Sequence, residues 1–258
     1  MEKELIFSFI IVNYKNQEPL LDCIASIREK VFFPFEIIIA NNELSELNKS
    51  FFPNAKIVEI NKNIGFGSAA NRGAKIACGK YLCFLNPDTV LLSDIKKITS
   101  EFEENKKVGV IGVKLVNEKG VTQNWIAGKK ITFISLVLEN IGWPQSKNIF
   151  SDSKKIAVDW VTGGAFFVRR KIFEKSIGFD EKFFIYYEDV DLCRRIQNSG
   201  WQIVYLPEIG IFHQGSHSFV SSPNQKKYYY ASQKYYFQKY YGSFQAELVD
   251  FLRRLTHN

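Results

Sequence analysis

An α/β fold of three layers, with helices on both faces of a mainly parallel sheet, is what this sequence predicts, on three observations. Short β-rich apolar runs alternate with helical patterns from the start, the rhythm of strand–helix–strand units. One helical stretch, Gly65–Ala77, is rich in small residues, which lets it lie close against a sheet. No internal repeat or low-complexity linker divides the chain, so one large domain over residues 1–220 is expected, with a helical extension over 221–258.

In order, Leu5–Val12 reads as a buried strand. Asn16 then stands as a candidate N-cap with Pro19 in the first turn, and Leu20, Ile24 and Ile27 follow at helical spacing. Phe35–Ala40 and Lys56–Ile60 read as the second and third strands, and Gly65–Ala77 as the helix before a fourth, Lys80–Leu85. A helix over Ser93–Asn105, capped by Ser93, leads to a fifth strand at Val108–Val113. The rhythm then changes, and residues 117–157 are irregular around one apolar run, Ile131–Leu138. Val158–Val168 returns to strand, broken at Gly163-Gly164, and Glu188–Ser199 is a helix closed by Gly200. Trp201–Leu206 and Gly210–Phe212 read as short strands.

The bulk properties narrow the function less than the fold. A net charge of +7 favours an anionic partner, and nucleic acid, phosphorylated small molecules and anionic lipid all qualify. The four cysteines (Cys23, Cys78, Cys83 and Cys193) show no C-x-x-C spacing, so buried free thiols in a reducing cytoplasm are expected. The amino terminus runs directly into a strand without a basic region or cleavage site, so no secretory leader is expected. No apolar run reaches the roughly 18 residues that a membrane span needs.

Three segments carry candidate chemistry. Asn63-Ile64-Gly65-Phe66-Gly67-Ser68-Ala69-Ala70 holds a G-x-G-x-x-A pattern between a strand and a helix, with Asp88 beyond it, as in a dinucleotide fingerprint. It follows the third strand rather than the first, however, and Asp88 sits behind Pro87 in a loop; a Gly-rich turn at a helix start still suits a phosphate or ribose. In Asn86-Pro87-Asp88-Thr89, Asp88 either caps the next element or stands at the carboxyl edge of the sheet, where open α/β folds bind ligands. From there one carboxylate and the oxygens of a substrate phosphate hold Mg²⁺ or Mn²⁺. Glu188, Asp189 and Asp191 open a helix, where acids complement its dipole and pair with Arg194 and Arg195. The rival reading comes from the flank Phe183-Phe184-Ile185-Tyr186-Tyr187, an apolar wall that raises a carboxylate toward the range of a general base. His213 ends a strand, and an imidazole beside a carboxylate-held metal is a familiar arrangement.

Taken in chain order, these stretches resemble family 2 glycosyltransferases of the rhamnosyltransferase-like branch. The matching segments are 9–14, 63–73, 84–89, 158–166, 178–184, 188–192 and 200–205, with His213 after them. The resemblance implies a GT-A fold, a Rossmann-like three-layer α/β/α domain, and inverting transfer of a sugar from a nucleotide donor. It places Val12, Asn13 and Tyr14 in the nucleoside pocket, with Asn42 and Arg72 near base and ribose, and Asn63, Gly65 and Asn86 on the donor. It makes Asp88 and His213 the holders of Mg²⁺ or Mn²⁺, Asp189 the general base with Glu188 beside it, and Trp160, Gly163 and Gly164 the wall between donor and acceptor sugars. Two positions depart from the pattern: Ala40 stands where the family usually has Asp, and Asn86 replaces the first acid of a D-x-D-like motif.

The donor expected from the branch is dTDP-L-rhamnose, with a UDP-linked hexose or galactofuranose as the alternative, and the acceptor a saccharide or lipid-linked glycan of a bacterial surface polysaccharide such as O-antigen. In the tail, Lys227, Ala231, Lys234 and Gln238 form one stripe of a helix otherwise covered in aromatics. That helix either packs on the domain with only the stripe wet, or lies on an anionic membrane surface at the inner leaflet. A nucleic-acid partner would explain the charge but gives Asp88 and Asp189 no role, so none is expected; the sequence sets no oligomeric state.

Overall fold

The computed structural model describes residues 5–140, 154–215 and 223–256. Strand β1 (Phe7–Asn13) is buried along its whole length, because both faces are covered by helices. Helix α1 (Gln17–Lys30) returns the chain to β2 (Phe35–Asn41), and β3 (Ala55–Glu59) follows as the edge. Asn16 precedes α1 but makes no side-chain capping bond. Helix α2 (Phe66–Ala74) then leads to β4 (Tyr81–Leu85).

β3, β2, β1 and β4 lie side by side and all parallel, which is the half of the sheet that the alternating pattern describes. Beyond β4 the sheet becomes mixed. A short β5 (Thr89–Leu91), helix α3 (Lys96–Glu104) and β6 (Val108–Val116) are followed by β7 (Ala127–Gly128) and helix α4 (Phe133–Asn140). Ser93 does not cap α3; Asp94 Oδ1 accepts the Lys96 amide at 2.9 Å instead, and the helix starts later than expected. β8 (Ile156–Val158), β9 (Trp160–Val161) and β10 (Ala165–Arg169) replace the single broken strand expected over 158–168. β10 inserts antiparallel between β4 and β6.

Helix α5 (Arg170–Lys175), helix α6 (Glu188–Asn198) and strand β11 (Gln202–His213) complete the domain. β11 is one strand where two were expected, because a register shift against β6 between Leu206 and Gly210 absorbs Pro207, Glu208 and Ile209. The helical extension consists of two helices, α7 (Pro223–Tyr241) and α8 (Ser243–Thr256). The predicted stripe is largely realised: Lys227, Ala231 and Gln238 are exposed, while Lys234 is half-covered and pairs with Glu247 at 2.6 Å. The aromatic face of α7 turns inward, with Tyr236 and Phe237 fully buried. Of the cysteines, Cys23, Cys83 and Cys193 are buried free thiols, but Cys78 is exposed. No helix among the described residues is long and apolar enough to cross a membrane.

Candidate active site

The carboxyl ends of β4, β6 and β11 open onto a cavity of about 710 Å³. Asn86, Trp160, Gly163, Gly164, Glu188, Asp189 and His213 all line it, so residues far apart in the chain meet at one place.

The acidic pair is placed by the start of α6. Tyr186 and Tyr187 precede it with φ of +70° and +67°, in the left-handed region that costs a non-glycine residue on the order of 1 kcal/mol or more. The kink is held from outside: Ser232 Oγ donates to the Ile185 carbonyl at 2.8 Å and Gln233 Nε2 to the Tyr187 hydroxyl at 3.0 Å, both from α7. On the other side Gly65 (φ +86°) lets α2 come close enough for the Phe66 amide to donate to the Phe184 carbonyl at 2.9 Å. A Cβ at Gly65 would lie 2.2 Å from that carbonyl oxygen. The glycine turn thus serves a backbone contact with the segment that presents the acids.

Asp189 Oδ2 accepts the Gly163 amide at 2.7 Å and Oδ1 the Val190 amide at 2.7 Å. Burial pushes its carboxyl up and these amides partly pull it back. Glu188 is buried with Oε2 lacking any partner; burial, and then the charge of Asp189, hold its carboxyl well above the usual range. Of the two, Glu188 keeps its proton longer and Asp189 is the one that ionises. Asp191, the third acid of the segment, does not line the cavity; it is fully buried and pairs with the partly exposed Arg195, Lys239 and Tyr240.

At the head of β5, Asp88 faces His213, with Oδ1 at 3.4 Å from Nε2. Burial raises the Asp88 carboxyl, but His213 and the Gly215 amide outweigh it and leave it below its ordinary value. Asn86 Nδ2 is 3.1 Å from the same Nε2. A Cβ on Gly215 would sit 2.6 Å from Asp88 Oδ2 and 3.2 Å from His213 Nε2, so the absence of a side chain there leaves the pair open. No group of three or more His, Cys, Asp or Glu among the described residues could hold a metal. The donor set is one carboxylate and one imidazole, which fits a cation shared with the oxygens of a bound diphosphate and does not make a closed cage.

The other predicted residues lie outside this cavity. Val12 and Asn13 end β1, and Asn13 Nδ2 donates to Asn41 and Glu43. Asn42 accepts the Ile64 amide and donates to Asn63, whose Oδ1 takes the Gly65 amide, so both asparagines brace the loop before α2. Tyr14 is exposed at the strand end and Arg72 is exposed on α2. His217, four residues after His213 in the sequence, falls outside the described residues.

Sequence reasoning missed several wall residues. Trp125 stacks on Trp160 with centroids 6.2 Å apart, and Gln123 holds His213; both come from the stretch read as irregular. Gln225 and Tyr229 bring α7 itself into the wall. Nothing in local patterning marks these positions, since the contacts depend on a hairpin and on the path of the tail.

The model of family 2 glycosyl transferases matches residues 8–177. The chain belongs to glycosyltransferase family 2. It is 26% identical over 198 residues to rhamnosyltransferase WbbL of Escherichia coli (strain K12), covering 71% of this chain and 74% of that protein. It is 22% identical over 242 residues to the N-acetylglucosaminyl-diphospho-decaprenol L-rhamnosyltransferase of Mycobacterium tuberculosis (strain ATCC 25618 / H37Rv), covering 84% and 79%. Among solved structures, TarS 1-349 of S. aureus superposes with a TM-score of 0.59 at 16% identity, over 89% of this chain and 64% of that one. GalNAc-T7 with UDP, GalNAc and Mn²⁺ superposes with a TM-score of 0.61 at 16% identity, over 92% and 50%. The sheet is that of the GT-A fold, and this family 2 enzyme is a nucleotide-sugar-dependent glycosyltransferase.

Proposed function

We propose that this glycosyltransferase moves L-rhamnose from dTDP-L-rhamnose onto a saccharide or lipid-linked acceptor in bacterial surface polysaccharide synthesis, with inversion at the anomeric carbon. The observation that carries the mechanism is the hold on Asp189: two backbone amides fix its carboxylate on the wall of a cavity that also contains His213. Asp189 accepts the proton of the acceptor hydroxyl as that oxygen bonds to the anomeric carbon and the bond to the diphosphate oxygen breaks on the opposite face. Glu188, neutral beside it, leaves the negative charge on Asp189. Asp88 and His213 are the residues that would hold Mg²⁺ or Mn²⁺, which offsets charge growing on the departing diphosphate. Trp160, stacked on Trp125, gives the sugars an aromatic wall, and Gly163 and Gly164 allow close approach.

Rhamnose as the sugar is supported by the names of the two relatives given above. Ala40 is fully buried in β2, so the carboxylate usual there has no substitute at that position. Val12, Asn13, Tyr14, Asn42 and Arg72 would serve the nucleoside from the carboxyl edge of the parallel half. For membrane contact, the inward aromatics of α7 leave α8, where Phe244 and Phe251 are 81% and 56% exposed on a chain of net charge +7. We place such contact at an anionic inner leaflet, from the cytoplasmic side.

A thermal-shift panel tests the donor: dTDP-L-rhamnose, UDP-glucose, UDP-galactofuranose and GDP-mannose, each with and without Mn²⁺. A ligand at about 100 times its Kd contributes nearly 3 kcal/mol, a plainly visible rise in Tm. A rise with dTDP-L-rhamnose alone, lost in Asp88→Ala, is the expected result; a rise only with a UDP-sugar replaces rhamnose with that sugar.

A further inference from the structure

Gln123 meets His213 twice. Its Nε2 lies 2.7 Å from the His213 carbonyl oxygen, and its Oε1 lies 2.8 Å from His213 Nδ1. The first contact fixes the orientation of the amide, because a carbonyl oxygen only accepts and so must face the NH₂ group. The amide oxygen is then left facing Nδ1, and an oxygen facing a ring nitrogen at that distance requires that nitrogen to carry the proton. In the neutral ring Nε2 is consequently bare. It accepts from Asn86 Nδ2, 3.1 Å away, with Asp88 Oδ1 at 3.4 Å.

The fold places Gln123 for this. The end of β6 turns back through a tight hairpin: Gly120 has φ of +70°, Asn117 Oδ1 accepts the amides of Lys119 and Val121, and Val116 bridges Thr122. The Gln123 amide then donates to the Leu115 carbonyl at 2.9 Å, and Phe212 of β11 pairs with Val116 of β6. The hairpin therefore folds Gln123 over the end of the neighbouring strand, where His213 stands.

We propose that Gln123 is a positioning residue that locks His213 in the Nδ1–H tautomer, so that Nε2 and Asp88 together form the protein's two donors to a divalent cation. This rests on the reading of Asp88 and His213 as the metal holders. A histidine free to carry its proton on Nε2 would present a proton to the cation, and hydrogen-bonded partners of metal-binding histidines typically change affinity about 10–100-fold.

Imidazole ¹⁵N–¹H correlation spectra test the lock without any turnover. The chain has 3 histidines, and the His213 signals are those lost in His213→Gln. In the neutral ring we expect the Nδ1–H pattern for wild type and a shift to Nε2–H in Gln123→Leu. Titration of Mn²⁺ with dTDP, and separately with UDP, should broaden the His213 ring signals at about 10-fold or more lower Mn²⁺ in wild type than in Gln123→Leu. Nε2–H in wild type, or an unchanged tautomer in Gln123→Leu, overturns the role of Gln123. The expected tautomers without Mn²⁺ broadening in wild type overturn the metal-donor role, and place the failure in the reading of Asp88 and His213.

Discussion

Lys239 Nζ lies 2.6 Å from Asp191 Oδ1, joining α7 to the helix that carries the acidic pair. Asp191 has no exposed surface; its other oxygen takes Arg195 Nε at 2.8 Å, and Oδ1 also accepts the Tyr240 hydroxyl at 2.7 Å. Asp191→Ala would remove all three of these bonds at once, while Lys239 keeps Asp180 and Arg195 keeps the Ser176 and Gly178 carbonyls, for a loss of about 2–3 kcal/mol. We expect a large drop in Tm by thermal unfolding; a Tm within a degree or two of wild type (~0.5 kcal/mol or less) would contradict this account.

Asp189→Asn preserves the shape that accepts the Gly163 amide but removes the base. Turnover should fall roughly 10²–10⁴-fold, while the loss of the Val190 amide bond changes stability by only about 1 kcal/mol, read by product formation and by unfolding. Because burial raises Asp189, the acid limb of kcat/KM should lie above the ordinary carboxylate value of 3.8, with activity lost as pH falls through it. An acid limb at or below that value would count against Asp189 as the base.

Glu188 makes a separate prediction for stability. Unfolded, its carboxyl loses a proton near its ordinary 4.5; folded, burial and then the neighbouring Asp189 hold the proton to higher pH. Between those two points the unfolded chain binds fewer protons than the folded one, so stability falls as pH rises through the window. Glu188→Gln should remove that decline, so its advantage over wild type grows from acid toward neutral pH. Parallel Tm curves for the two proteins would refute it.

Gln233→Leu removes the bond from α7 to the Tyr187 hydroxyl. The direct loss is about 1 kcal/mol, but the kinked backbone before Glu188 loses one of its holds. A displacement of about 1 Å at the base costs up to 10²-fold in rate. We expect kcat to fall well beyond the change in stability while donor KM stays put; a proportionate loss of both would mean the contact is merely structural.

Gly215→Ala puts a methyl between Asp88 and His213, 2.6 Å from Asp88 Oδ2. The response of Tm to Mn²⁺ with dTDP or UDP should disappear while the Tm without ligand stays close to wild type. A preserved Mn²⁺ response would locate the cation elsewhere.

The sequence shows clearly the half of the fold in which each element buries its own apolar pattern. β1, β2, β3 and β4 differ from their expected spans by a residue or two, because continuous apolar runs such as Phe9-Ile10-Ile11-Val12 have one way to be covered. Asp189 and His213, singled out from separate motifs, line one cavity, and Asp88 stands 3.4 Å from His213. Gln123, Trp125 and Tyr229 were not readable, since each acts through a contact made by a hairpin or a returning helix rather than by its own neighbours. The antiparallel β10 was hidden for the same reason: Ala165–Arg169 looks like any buried strand, and its direction is set by the loop at Gly163-Gly164 and by the partners on either side.

The grip of Ser232 and Gln233 on residues 185–187 also bears on how the enzyme is made. Chains emerge from the ribosome amino end first, at about 5–20 residues per second. The parallel strands, the acidic pair and the histidine are all translated before α7, yet two of the side-chain bonds that hold the kink before Asp189 come from that helix. A nascent polypeptide can therefore assemble its donor-side sheet before its last helices have been released and have folded back onto the kink. A chain terminated before residue 232 would carry Asp88, Asp189 and His213 without the α7 bonds to residues 185–187.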